Sequence, residues 1–329
     1  SEFEQLRQQL LVGIEAGRNE PQSAAVRALS QHFNRYPRGD IRYSPSLEEQ
    51  LEEARAARLE DVKAFHRQFY GANPAEMAIV GDFDPQEITP LVNTLFGAWR
   101  APQPHAPVLV AHAEVAPVTR TLNTPDKENG FYIARLNLDL NVDDADYPAL
   151  LLANYIFGDG GLKSRLMDRI RQQDGLSYGG GSDVSPGTLD RAGSFTINAI
   201  AAPQNLAKLD AAVRAELARA LKDGFTAEEL AGAKSGLMQQ RLQSRANDGA
   251  LASGWTSFLY RGKTFEASAE LERKLQAVTL PQLNAAFRKA IDPAELSVFM
   301  AGDQAKSSPP PTGIGSQASG PATPVVTMP

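Results

Sequence analysis

Residues 164–178 read SRLMDRIRQQDGLSY. Leu166, Met167 and Ile170 recur at helical spacing, with Arg165, Asp168, Arg169 and Arg171 between them, the pattern of a short amphipathic helix. Gly175 is placed to stop it, since a residue tolerant of positive φ closes a helix at little cost. Beyond it, LSYGGGSDV reads as a strand entry loosened by Gly179, Gly180 and Gly181. Arg171 therefore ends a helix, and Tyr178, seven residues on, begins the next element. Taken alone, the two are an exposed arginine and a core-packing tyrosine.

Working outward, YPALLLANYIF (147–157) has Pro148 in its first turn and is almost wholly apolar, which predicts a buried helix. ENGFYIARLNLDL before it reads as a long strand, with Phe131, Ile133, Leu136 and Leu138 alternating imperfectly. Strands at about 177–184 and 192–200 precede a helix from Asn205 to Leu221 that Gly224 stops. Thr226 and Glu229 form a capping box for the next helix, with Phe225 and Leu230 placed as a staple. Helices near 250–260, 267–277 and 280–290 lead to a last strand, LSVFMAGD. On the other side, helices are expected at 2–17 (Leu6, Leu10 and Ile14 on one face), at 22–33, behind a Ser46–Glu49 capping box, and at 59–70. A strand, AEMAIVGDF, and a helix after Pro85 follow.

The chain repeats itself in part. LEDVKAF then PAEMAIVGD (59–82) recurs as LPQLNAAF then PAELSVFMAGD (280–303), and Ser46 leads a helix into Leu59 as Ser268 leads one into Leu280. Residues 1–84 thus look like a copy of about 228–305 that lacks any counterpart of 118–225. The economical division is the back half of a first module (1–99), a proline-rich linker (100–117), a complete module (118–305), and a Pro/Ser/Gly-rich tail (306–329) expected to be disordered.

The 164–178 stretch resembles the SRLxxxLRExxGLxY signature of the pitrilysin/insulinase-type zinc metallopeptidases, the inverted HxxEH group, with Ile170 for a leucine and Gln172 for a glutamate. The likeness runs to about residue 303, and GDFDP, GLSY and the region around YPRGD look like bacterial members. The resemblance implies an α+β fold: two-layer modules, each a largely antiparallel sheet packed by helices, paired across a cavity. It also implies that Arg171 and Tyr178 lie opposite the zinc, orienting an extended peptide substrate and supporting the tetrahedral intermediate. Peptides in such proteins add as a strand to a sheet edge. Gly179, Gly180 and Gly181 are candidates for a backbone anion nest or for close approach of a peptide, and equally for a flexible strand start.

Peptide hydrolysis by this family needs a zinc-bound water, two His ligands, a Glu base and a further Glu ligand. The histidines are His32, His66, His105 and His112, and neither HxxEH nor HExxH occurs. By family analogy the motif would lie on the 147–157 helix, which has no His and no Glu. The expectation is a fragment without metal ligands of its own, inactive alone, forming cavity wall and contacting peptide. A zinc-bearing module would come from an absent N-terminal region or another chain. The alternative is a structural subunit, like the core proteins this family contributes to respiratory complexes. His105 and His112 lack the geometry of a zinc pair, GDGGLKS lacks the glycine a phosphate loop needs before its lysine, and no GxSxG elbow is present.

The 33 basic and 39 acidic residues give −6 and a pI near 5.4, which argues against nucleic acid as a partner. No apolar run approaches the roughly 20 residues of a membrane span. With no cysteine, disulfides and thiolate metal sites are excluded. The start at Ser-Glu-Phe suggests a fragment or processed product, and a periplasmic or exported location is weakly favoured over the cytoplasm.

Overall fold

The computed structural model describes residues 1–307; the expected disordered tail lies outside them, apart from its first two residues. Five strands form one mixed sheet: β1 (Thr119–Asn123), β2 (Gly130–Asp139), β3 (Ser177–Ser185), β4 (Ala192–Ala201) and β5 (Ser297–Gly302), in the order β1-β5-β2-β4-β3. Only β1 and β5 run parallel; the other three pairings are antiparallel. This is the expected α+β, largely antiparallel arrangement. The last strand in sequence enters between β1 and β2 because Ser297–Gly302 is apolar enough to be buried along its whole length.

Ten helical segments cross or border the chain in order: α1 (Glu2–Ala16), α2 (Pro21–Phe33), α3 (Leu47–Ala56), α4 (Leu59–Phe69), α5 (Pro85–Phe96), α6 (Tyr147–Asn154), α7 (Arg165–Met167), α8 (Leu206–Asp223), α9 (Ala227–Ser244) and α10 (Asp248–Tyr260). Three more α-helices follow among the described residues, α11 (Glu266–Ala277), α12 (Leu280–Ala290) and the short α13 (Gln304–Ser307), with short π and 3-10 segments between some of the elements. The main core lies between one sheet face and α6, α8, α9 and α12. Tyr132, Ala134, Leu136 and Leu138 of β2 face it, with Phe195, Ile197 and Ala199 of β4. Phe287 on α12 contacts Phe157, Phe195 and Phe225 with ring centroids 5.1–6.5 Å apart. The capping boxes at Ser46–Glu49 and Thr226–Glu229 form as the sequence predicts. Gly224 ends α8 at φ 77°.

The opposite sheet face is covered by α2. Ala25 and Leu29 pack on Phe131, Ile133, Phe299 and Ala301, the residues of β2 and β5 that point away from the main core. This explains the imperfect alternation of β2: both of its faces are buried at Phe131–Ala134. His32 at the end of α2 lies 3.1 Å from the Ser297 hydroxyl and packs edge-on to Phe33.

Residues 57–99 differ from expectation. Ala75–Phe83 do not form the predicted strand, because among the described residues no neighbouring strand offers them hydrogen bonds, and an isolated strand has no ladder. No residue of α4 or α5 is buried. Val62, Phe65, Phe69, Met77 and Ile79 are each 46–55% exposed.

Candidate functional site

The signature segment is tied down along most of its length. Leu166, Met167 and Ile170 are buried. Ser164 caps α7, its hydroxyl donating to the Gly161 carbonyl at 2.7 Å. Arg165 donates to both carboxylate oxygens of Glu229, at 2.6 and 2.7 Å, and to the Gly224 carbonyl at 2.9 Å. Its guanidinium sits 4.8 Å above the Phe225 ring. Burial alone would push the Glu229 carboxyl up, but its bonds from Arg165 and from the Thr226 backbone hold it below the ordinary value. After Met167 the helix widens into a π turn over Asp168–Gln173, and Gly175 closes it at φ 61°. A π turn inside a helix is rare and recurs at functional sites. Arg171 lies on this turn, exposed, with no side-chain hydrogen bond, ion pair or ring contact among the described residues.

Tyr178 is 66% exposed at the start of β3, not the core-packing residue its type suggests. The cause is a bulge: Ser177 pairs with Ala201 and Gly179 with Ile200, which leaves Tyr178 without an opposite number on β4. Counting back from core-facing Val184 through Ser182 and Gly180, alternation would put residue 178 inside; the extra residue puts Ser177 there instead. The Ser177 hydroxyl lies 2.8 Å from the Ile200 carbonyl and 3.0 Å from the Gly179 carbonyl, and accepts from the Gly179 N–H at 3.1 Å.

Gly179, Gly180 and Gly181 are paired with Ile200, Ala199 and Asn198 as regular strand, and none has a left-handed φ. The alternating right- and left-handed backbone of an anion nest is not the conformation these glycines have here. The glycine at 180 has a packing reason instead, since a Cβ there would meet the Asn198 carbonyl oxygen at 2.4 Å. β3 is also an outer strand of the sheet, so one of its edges is unpaired within it.

A cleft of about 730 Å³ opens at the far end of the sheet, where β2 ends and β4 begins, bordered by His112, Glu114, Asp144, Arg191 and Lys289. Its cations are committed: Arg191 donates to Asp139 and Asp144 at 2.5 and 2.9 Å, and Lys289 to Asp146 at 2.7 Å. The Arg191 bonds hold the Asp144 carboxyl below the usual range. Neither Arg171 nor Tyr178 borders this cleft. His105 packs against Tyr260, with ring centroids 5.8 Å apart.

Residues 56–237 match the family model described as the peptidase M16 inactive domain. The chain belongs to that family. The matched span contains the signature helix, the Tyr178 bulge and the apolar α6. A search of curated proteins finds no match. Among solved structures, the M16 inactive domain from Pseudomonas fluorescens superposes with a TM-score of 0.75 at 23% identity, over 92% of this chain and 70% of that one. A protease from Helicobacter pylori gives 0.76 at 15% identity, over 92% and 71%. A chain of complex III2 from Candida albicans gives 0.69 at 13%, over 90% and 70%. At these identities the likeness is one of fold. No helix of the described residues is long and apolar enough to cross a membrane.

Reading the sequence missed two residues of this M16 domain: Ser177, whose hydroxyl bonds to Gly179 and Ile200 at the bulge, and Arg165, which bonds the signature helix to Glu229. The signal for Arg165 was present, since the Thr226–Glu229 box places a carboxylate that a nearby arginine can use. Ser177 carried no signal, because a bulge is a property of two strands.

Proposed function

We propose that this chain is the zinc-free portion of an M16 peptidase and supplies cavity wall and substrate contacts to a zinc-bearing module. The observation that carries the reading is the contrast within one segment. Arg165, Leu166, Met167, Ile170 and Ser177 are buried or bonded, whereas Arg171 and Tyr178 are turned outward with their polar ends unengaged. A guanidinium and a phenol held in that state fit the task of gripping a peptide carbonyl and supporting an oxyanion. The substrate would be an extended peptide laid along the free edge of β3, where backbone hydrogen bonds give affinity with little sequence demand. The net charge of −6 argues against nucleic acid as a partner. A periplasmic or exported site of action accompanies this reading.

The exposed face of residues 57–99 supports the same view. α4 and α12 are both 11 residues long, and each is followed by a similar apolar segment, but only the second pair is buried. On this reading the first pair is the back half of a module whose sheet lies elsewhere.

The test is turnover of an unstructured peptide by the protein assembled with its zinc-bearing module. Arg171→Ala or Tyr178→Phe is expected to lower kcat by about 10²-fold, with folding unchanged by circular dichroism. This chain alone should show no chelator-sensitive cleavage. A second reading, a structural subunit, is supported by the fold shared with the complex III2 chain. Unchanged turnover in both variants would favour it.

A further inference from the structure

We propose that Ser177 is a positioning residue for Tyr178: its hydroxyl holds the one-residue bulge that turns the tyrosine out of the sheet. The proposal rests on the reading that Tyr178 meets substrate, and it adds what keeps the phenol available to do so.

A tyrosine at the start of a half-buried strand has two places to go. In regular pairing, residue 178 shares a side with Gly180, Ser182 and Val184, and the last two are buried. That side would draw the ring toward the core, since burying an aromatic surface is favourable. In the observed pairing Ser177 takes that side at 6% exposure, and Tyr178 is left at 66%. The two arrangements differ by one residue of register, and such slips are common in glycine-rich strands, where few side chains oppose them. Gly179, Gly180 and Gly181 follow directly, so side chains contribute little to fixing the register here.

What fixes it is the serine. A bulge disturbs the local ladder and so puts backbone polar groups at risk of going unpaired. The Ser177 hydroxyl lies within hydrogen-bond reach of three of them, the carbonyls of Ile200 and Gly179 and the amide of Gly179. Its single proton serves the two carbonyls while its oxygen accepts from the amide. No other side chain of the bulge supplies these bonds, because the two residues after Tyr178 are glycines.

Two measurements on Ser177→Ala test this. In this chain, amide exchange at Gly179 is expected to accelerate at least about tenfold while Ser182 and Val184 keep their protection; an unchanged Gly179 overturns the proposal. In the protein assembled with its zinc-bearing module, Ser177→Ala is expected to lower kcat on an unstructured peptide about tenfold with KM within about twofold. The double variant Ser177→Ala/Tyr178→Phe should be no slower than Tyr178→Phe alone. A further loss of the same size in the Tyr178→Phe background identifies a general structural role and overturns the positioning role. If Tyr178→Phe lowers turnover and Ser177→Ala does not, positioning is refuted while the functional reading stands. If Tyr178→Phe is without effect, the functional reading fails, and the Gly179 exchange alone decides the geometry.

Discussion

Arg165 and Glu229, 64 residues apart, meet through two parallel hydrogen bonds of 2.6 and 2.7 Å. The same carboxylate accepts from the Thr226 amide at 2.7 Å as half of the α9 capping box. One side chain thus joins the start of a helix to the segment that presents Arg171. Because the Arg165 side chain is only 13% exposed, removing either partner leaves a poorly hydrated charge behind.

Arg165→Ala or Glu229→Ala is therefore expected to destabilise the fold by about 2–3 kcal/mol, read from the midpoint of urea unfolding. Arg165→Lys should recover little, since an ammonium cannot reproduce the paired geometry. The Glu229 carboxyl is held below its ordinary value of 4.5. Its contribution is therefore present above that pH and is lost as pH falls through the folded-state value. The variants should differ from the parent less in acid than at neutrality.

His32 is expected to make the seating of α2 on the sheet dependent on pH in the same direction. Burial pushes its imidazole below the ordinary 6.5; the Ala116 carbonyl partly opposes this, and the nearby Arg120 adds to it. The unfolded chain thus binds the proton more readily than the folded one, so stability is expected to fall as pH drops below about 6.5. Exchange of α2 amides measured at pH 5.5 and 7.5 checks this. His32→Gln should flatten the difference.

Two adjacent glycines predict opposite outcomes. Gly179→Ala meets nothing within 4 Å, while Gly180→Ala drives a Cβ to 2.4 Å from the Asn198 carbonyl oxygen. The first should change stability by less than about 0.5 kcal/mol and the second should cost about 2 kcal/mol or more. Thermal melting of the two variants separates them.

Val62 and Leu283 occupy the fourth position of α4 and α12. Val62 is 52% exposed and Leu283 fully buried. Val62→Asp should leave the stability of this chain within about 0.5 kcal/mol, whereas Leu283→Asp should cost more than about 4 kcal/mol. A large loss for Val62→Asp in this chain would contradict the exposure of that face. Impaired assembly of the same variant with the proposed zinc-bearing module would support the proposed covering sheet.

Short-range chemistry was legible in the residues themselves. The Ser46–Glu49 and Thr226–Glu229 caps, the stop at Gly224 and the apolar run of α6 each depend on neighbours within a few positions, so their pattern is written locally. The signature at 164–178 was legible for the same reason, and it pointed to the family the chain belongs to. Three things were settled only by distant parts of the chain. Ala75–Phe83 has the composition of a strand, but a strand exists only where another backbone pairs with it. The second face of β2 was buried by α2, a helix almost a hundred residues away. Tyr178 was turned outward by a register slip between β3 and β4, and register is a relation between two strands that neither one encodes alone.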